Sequence, residues 1–343
     1  MTDAICLELK LRASELTSQQ IETIYFGGGT PSVLTKAQMS KILNYIHTHF
    51  SISPFPEITL EINPDDVTDM QISAWTENSI NRISIGVQSF DEAALKWMNR
   101  SHTAVQSSLA IYKLAESGIE NISMDLIYGL PKLTHQAWQH TLNKVIGLPV
   151  QHVSAYCLTV EPKTALQHFV NTSNIILPDD AISAKQFQVM SQLLTEAGFV
   201  HYEISNFGLP KYHSRHNSNY WKGNSYVGVG PSAHSYDGAH LRRWNIASNQ
   251  HYLKLIAANK QYFEEERLTD KEKYNEFIMT GLRTIWGCDL NTLNHEQKIL
   301  FQKQFKNLKK HIESGNIIYQ NNQLTITSKG RFFADGIASD LFA

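Results

Sequence analysis

The period of the strand-like runs constrains this chain more than any other feature. Ile58, Leu60 and Ile62 alternate with Thr59, Glu61 and Asn63. Ile83, Ile85 and Val87 alternate with Ser84, Gly86 and Gln88, and Ile122, Met124 and Leu126 alternate with Ser123 and Asp125. A period of two sends the two sets to opposite faces of a sheet. A parallel sheet covered by helices on both faces reads instead as continuous apolar runs. Here helices are expected on one face only, while the other lines something wet or ligand-filled. Six such runs (Ile21–Phe26, Ile58–Asn63, Arg82–Gln88, Ile122–Tyr128, Val153–Leu158 and His201–Ser205) alternate with helical patterns over the first two hundred residues. The stretch 103–117 places Val105, Leu109 and Tyr112 on one helical face and stops at Gly118. The stretch 185–197 does the same with Phe187, Met190, Leu193 and Leu194 and stops at Gly198. Strand–helix alternation at this spacing makes βα units and a parallel sheet. The half-polar strands predict an α/β fold whose sheet curls into a partial βα barrel. Glu61, Gln88 and Asp125 fall near the C-terminal ends of their strands, the end that carries the site in such barrels.

Charge and composition remove several alternatives. Thirty basic and 32 acidic residues among 343 leave a net charge near −2. That is not the basic field of a duplex-binding protein, and nucleic acid is not an expected partner. No window approaches the roughly 18 apolar residues of a membrane span. The opening MTDAICLELKLRASELTSQQ lacks the apolar segment of a signal peptide. Cys6, Cys157 and Cys288 are scattered and odd in number, which fits a reducing, cytoplasmic compartment. From about Gly208 the character changes: residues 201–245 hold His201, His213, His216, His234 and His240 and are denser in aromatics than the 10% of the whole chain. We read 1–207 as the barrel, 208–248 as a long aromatic, His-rich connection and 249–343 as a small, mainly helical domain. The last closes on the hairpin-like Asn316–Thr327 with an Asn-Asn turn.

Local motifs carry more than one reading. YFGGGTPS (Tyr25 to Ser32) ends a strand with three consecutive glycines, which let backbone groups approach a ligand without a Cβ in the way. It matches neither the dinucleotide fingerprint nor the P-loop, and a tight strand-to-helix turn is the structural alternative. Arg100, in MNRSH, suits pairing with a carboxylate of the protein or of a ligand. Asp125 precedes Gly129-Leu130-Pro131 and competes as a helix cap. In HNSNYW (His216 to Trp221) an imidazole beside Tyr and Trp suits a flat macrocycle with an axial iron ligand. Zinc between His213 and His216 is a rival that lacks nearby Cys or paired carboxylates, and a hydrogen-bonded histidine is the plainer reading. A barrel enzyme using Glu61 and Asp125 as acid and base is a further reading.

YFGGGTPSVL, EITLEINPDD, NRISIGVQSF, MNRSH, MDLIYGLP and ADGIASDLF together resemble the oxygen-independent coproporphyrinogen III oxidase family of radical S-adenosylmethionine (SAM) proteins, in order and spacing from about residue 20 to the end. HNSNYW is similar to the signature of that family's haem chaperone branch. The resemblance implies a radical SAM partial TIM-like (β/α) barrel with a small C-terminal helical domain. It implies adenosylmethionine held by Gly28, Gly29, Thr30, Glu61, Gln88, Arg100 and Asp125, with a weaker match at Thr159. It implies haem framed by His216, Asn217, Tyr220 and Trp221, with His216 on the iron, and haem-accepting respiratory proteins, met at a membrane surface, as partners.

The family holds a [4Fe–4S] cluster on a CxxxCxxC motif that this sequence does not contain. Met1 falls inside the helix following the family's first strand, so the barrel is expected to lack that strand, and Cys6, alone on a helix, does not substitute. The expectation is a shortened sequence, with strand 21–26 left as an apolar edge. As it stands, this chain is not expected to cleave adenosylmethionine. Haem binding and transfer is the first functional reading; oxidative decarboxylation of coproporphyrinogen III, in a longer form, is the second.

Overall fold

The computed structural model describes residues 1–16, 20–172 and 175–343. Its main sheet has seven strands: β1 (Ile21–Phe26), β2 (Ile52–Ile62), β3 (Arg82–Gln88), β4 (Asn121–Tyr128), β5 (His152–Cys157), β6 (Val200–Glu203) and β7 (Asn206–Gly208). The order is β1-β2-β3-β4-β5-β7-β6, and β1 is an edge strand, as expected. Pairs β2–β3, β3–β4 and β4–β5 are parallel. The last expected strand, His201–Ser205, is instead a tight antiparallel hairpin: β6 pairs β7, and β7 pairs β5 antiparallel. Asn206 and Glu203 explain the turn, since Glu203 Oε2 accepts from the Ser205 backbone N–H and from the Asn206 side-chain amide and folds the chain back.

Helices among the strands are α1 (Thr2–Leu11), α2 (Lys36–His49), α3 (Asp69–Glu77), α4 (Glu92–Trp97), α5 (Ala104–Glu116), α6 (His135–Ile146), α7 (Ala165–Asn171) and α8 (Asp180–Glu196). The apolar strand positions Leu60, Ile83, Ile85, Val87, Ile122, Met124 and Leu126 are wholly buried, with Trp75 and Trp138 among the largest core side chains. Helix α5 begins at Thr103, whose hydroxyl and Gln106 form a reciprocal cap, and ends at Gly118 with φ +88°. Its buried face differs from the expected one. Ala104, Ser107, Ala110, Ile111 and Leu114 pack inward, while Val105 (63% exposed), Leu109 (62%) and Tyr112 (46%) face solvent. Small residues let this helix lie close to its neighbours, and the larger apolar stripe misled the periodicity.

The segment 208–248 is more structured than a connection. It contains α9 (Arg215–Trp221), β8 (His234–Tyr236) and β9 (Leu241–Asn245). Beyond it lie α10 (Asn249–Ala257), β10 (Phe263–Arg267), α11 (Asp270–Leu282), β11 (Cys288–Asp289), α12 (His295–Lys303), α13 (Phe305–Glu313), β12 (Ile317–Gln320), β13 (Gln323–Ile326) and α14 (Ala334–Asp340). Strands β8–β10 form one small antiparallel sheet and β11–β13 another. The Asn-Asn turn is present: Asn321 and Asn322 both have positive φ (52° and 59°), the type I′ geometry that matches strand twist. By contact the chain forms two compact units. One comprises residues 1–24, 34–57 and 215–343, and the other 25–33 and 58–214. This partition interleaves along the chain, unlike the contiguous segments suggested by composition, because the chain passes between units within β1 and β2.

Candidate functional site

In the unit of residues 25–33 and 58–214, the polar strand positions converge at the C-terminal ends of β2–β4. Glu61, near the end of β2, organises the glycine loop. One carboxylate oxygen accepts from the Tyr25 hydroxyl at 2.7 Å and the other from the Gly28 N–H at 3.0 Å. Burial beside Glu61 pushes the Tyr25 hydroxyl well above its usual pKa, so it stays a donor. Gly28 and Gly29 take φ +75° and +67°, and a Cβ on either would meet nothing within 4 Å, so the loop has open space before it. Gly27 is different: a Cβ there would lie 2.4 Å from the Tyr25 ring and 2.9 Å from Glu61 Oε1. The loop closes through Thr30, whose carbonyl accepts from Val33 N–H, and Ser32, whose hydroxyl donates to Asp66 at 2.6 Å.

Asp125 on β4 receives the Ser84 hydroxyl of β3 at 3.2 Å from both oxygens. Burial raises its carboxyl to about 7; the Ser84 bond opposes the rise and the Glu61 charge adds to it. Asp125 therefore holds its proton far more readily than an ordinary aspartate, and it caps no helix among the described residues. Ser154 continues the polar row by donating to Asn206 at 3.0 Å. Gln88, at the end of β3, holds φ +67° at a register shift, a costly conformation for a non-glycine residue. Its amide folds back over Gly86, where a Cβ would lie 2.7 Å from Nε2. Arg100 is half-buried after α4 and makes no ion pair among the described residues. Thr159 is exposed and donates to the Cys157 carbonyl at 3.2 Å.

In the unit containing residues 215–343, HNSNYW forms most of helix α9. Glu57, almost fully buried, accepts from the Arg215 and His216 N–H groups at 3.0 and 2.9 Å with its two oxygens, which fixes the start of the helix. The His216 Nδ1 lies 2.8 Å from Thr23 Oγ1, and Nε2 lies 2.9 Å from the Tyr220 hydroxyl. Burial lowers His216 to about 4, so the imidazole is neutral, the form that ligates metal. Its ring meets Tyr220 edge-on at 4.9 Å, and Tyr220 meets Tyr226 edge-on at 4.6 Å. Asn217 follows on the same turn. The Trp221 Nε1–H is buried without a hydrogen-bond partner, and the Arg283 guanidinium lies 5.1 Å from the Trp221 ring centroid.

These residues fit a flat iron-bearing macrocycle: a neutral histidine, the partly exposed Tyr220 hydroxyl beside it, flanking aromatic edges and a buried indole N–H without an acceptor. An iron–sulfur cluster is not fitted. Cys6 and Cys288 are buried, the latter against the Phe277 and Ile278 carbonyls, and burial raises the Cys157 thiol. No three His, Cys, Asp or Glu side chains among the described residues are grouped to hold a metal ion, which leaves the zinc reading without a ligand set. Sequence reasoning did not single out Tyr25, Thr23, Glu57, Ser84, Ser154 or Arg283. Tyr25, Glu57 and Ser84 lie inside quoted motifs, but the others carry no local signal.

Comparison with known proteins adds the relatives. A model of the radical SAM superfamily matches residues 6–145, and one of the HemN C-terminal domain matches residues 268–333. The chain is 34% identical to the heme chaperone HemW of Lactococcus lactis, over 91% of this chain and 82% of that one. It is 30% identical to the heme chaperone HemW of Mycobacterium tuberculosis, over 98% and 85%. The solved structure of the coproporphyrinogen III oxidase HemN from Escherichia coli, a radical SAM enzyme, covers 99% of this chain and 82% of its own at a TM-score of 0.83 and 22% identity, and it has the same fold.

Proposed function

The chain belongs to the family of the haem chaperone HemW, among the radical SAM proteins, and on that premise we propose that it binds haem at helix α9 and passes it to acceptor haemoproteins. One observation carries the reading: a neutral His216 imidazole has Thr23 Oγ1 at 2.8 Å on one nitrogen and the partly exposed Tyr220 hydroxyl at 2.9 Å on the other. Haem, when bound, would be held by His216 and would supply the iron that this imidazole ligates. Thr23 fixes the ring plane, Glu57 fixes the helix that carries it, and Tyr220 gives up Nε2 by turning toward solvent. Asn217, Tyr220 and Trp221 frame the site.

In the other unit we assign Gly28, Gly29, Thr30, Glu61, Gln88, Arg100, Asp125 and Thr159 to adenosylmethionine. The open glycine turn and the unpaired Arg100 support this, since an amino-acid carboxylate needs a donor-rich turn and a cation. No step through a [4Fe–4S] cluster is derived, because the described thiols do not fit one, and nothing in the site favours decarboxylation. Among the described residues no helix is long and apolar enough to cross a membrane. We take the acceptors to be respiratory haemoproteins reached from the cytoplasmic membrane surface.

The test is a haem titration of wild type beside His216→Ala, with folding verified by circular dichroism. The wild type is expected to give a ligated Soret band that the variant shifts or loses. Equal spectra would remove His216 as ligand, and no binding by the folded wild type would end the reading.

A further inference from the structure

Helices α12 and α13, in the unit containing residues 215–343, follow one another with only Gln304 between them. Together they carry Lys298, Lys303, Lys306, Lys309 and Lys310 against Glu296 and Glu313, in a chain whose net charge is −2. All five lysines are exposed. Among the described residues only Lys309 has an ion pair, with the exposed Glu313 at 3.7 Å. The inner side of α13 is fixed, since Leu308 is fully buried and His311 Nε2 lies 3.0 Å from Asp340 of α14. The helical repeat then sends Phe305 and Ile312 outward on one line, with Lys309, Lys306 and Lys310 successively further round. Phe305 is 51% exposed and Ile312 36%. Helix α12 repeats the arrangement, with Ile299 (42% exposed) between Lys298 and Lys303 around its outer side.

Lysine stems keep their ammonium groups at lipid phosphates while apolar neighbours enter the acyl boundary. A nucleic acid or an acidic protein segment would use the lysines and leave the Phe305 ring in water. We propose that the outer side of α12 and α13 docks this protein on an anionic lipid surface, with Phe305, Ile312 and Ile299 at the acyl boundary and the lysines at the phosphates. The docking stands apart from the haem site and gives the membrane surface of the proposed function a place on the molecule. His216 belongs to the same compact unit, so docking carries the haem site to that surface, a consequence that rests on the haem reading.

The experiment sediments the whole chain with vesicles of phosphatidylcholine alone and of phosphatidylcholine mixed with phosphatidylglycerol. Wild type is expected to bind the mixed vesicles, less so as salt rises, and to leave the neutral ones. The triple variant Lys306→Gln, Lys309→Gln, Lys310→Gln is expected to bind about a hundredfold more weakly. Phe305→Ser, which changes no charge, is expected to weaken binding about three- to tenfold, since a half-exposed phenyl gains half the worth of full burial. All the substituted side chains are exposed, so circular dichroism and the Soret band of a haem titration are expected to match wild type. No wild-type binding to mixed vesicles overturns the proposal, as does binding that survives the triple variant. Binding indifferent to Phe305→Ser, or tighter to polyglutamate or an RNA oligomer than to mixed vesicles, also overturns it and assigns the lysines to another partner. A missing Soret band with vesicle binding intact would fail the haem reading alone.

Discussion

Asp125 holds a carboxyl where water would ordinarily be needed to support its charge. Its value of about 7, against 3.8 in the unfolded chain, means that the folded state takes up a proton the unfolded state has released between those limits. The stability linked to this group is present in full below about pH 4 and is lost as pH rises through 7, a difference on the order of 4 kcal/mol. Asp125→Asn keeps an acceptor for Ser84 without the charge. It is expected to raise the denaturation midpoint at pH 8 and to change it little at pH 4, as read by urea unfolding at the two values. Gly27 and Gly28 separate crowding from backbone strain at neighbouring positions. Gly28→Ala is expected to cost about 1–2 kcal/mol, the left-handed penalty, because its Cβ meets open space. Gly27→Ala is expected to cost about 1–3 kcal/mol by overpacking, and also to part Tyr25 from Glu61, which the ultraviolet spectrum of the tyrosine would register.

At the scale of elements, helix α5 offers the sharpest test, because its apolar stripe and its buried face are different residues. Leu114→Ala is expected to cost about 2–5 kcal/mol, whereas Leu109→Ala should stay within about 0.5 kcal/mol, the usual range for surface changes. Denaturant midpoints with unchanged slopes would check both. The helix itself was legible in the sequence, since Thr103 and Gly118 mark its ends, but period alone does not tell a large exposed stripe from a small buried one. The same limit explains α9. A seven-residue helix is marginal by itself, and this one is fixed by Glu57, 158 residues earlier, whose carboxylate meets its first N–H groups. Strands β1, β3 and β4 were readable because alternation and strand-end turns agree there. The hairpin of β6 and β7 was not, since its reversal depends on Glu203 bonding to groups two and three residues away rather than on a glycine or proline. Of the candidate site, the residues on motifs were legible. Their supports Thr23 and Ser154 were not, because a lone hydroxyl becomes informative only when the fold brings a partner to it.

For the whole molecule, the feature least visible in the sequence is the part played by the first helix. Glu8 of α1 is fully buried, and it accepts from Asn245 at 2.8 Å, from the Gly230 N–H at 2.8 Å and from the Tyr252 hydroxyl at 2.6 Å, with Arg12 at 3.4 Å. Arg12 in turn donates to the Gly228 carbonyl and to Ser235. Ala4 joins Tyr252, Ile256 and Tyr262 in one apolar cluster. A helix that composition assigns to the barrel is thus built into the core of residues 215–343, across more than two hundred residues of sequence. Removing the carboxylate strands several donors at once, and breaking a buried ionic network in this way costs about 3–5 kcal/mol. Glu8→Ala is therefore expected to lower amide protection together in α1, in β8 and β9 and in α10, while β3, β4 and β5, whose core is separate, keep theirs. Glu8→Gln, which retains an acceptor oxygen, should lose less. Hydrogen exchange resolved by peptide reads both variants directly. A uniform loss across the chain would mean that the two units unfold as one, and unchanged exchange would mean that the carboxylate contributes nothing that packing does not already supply.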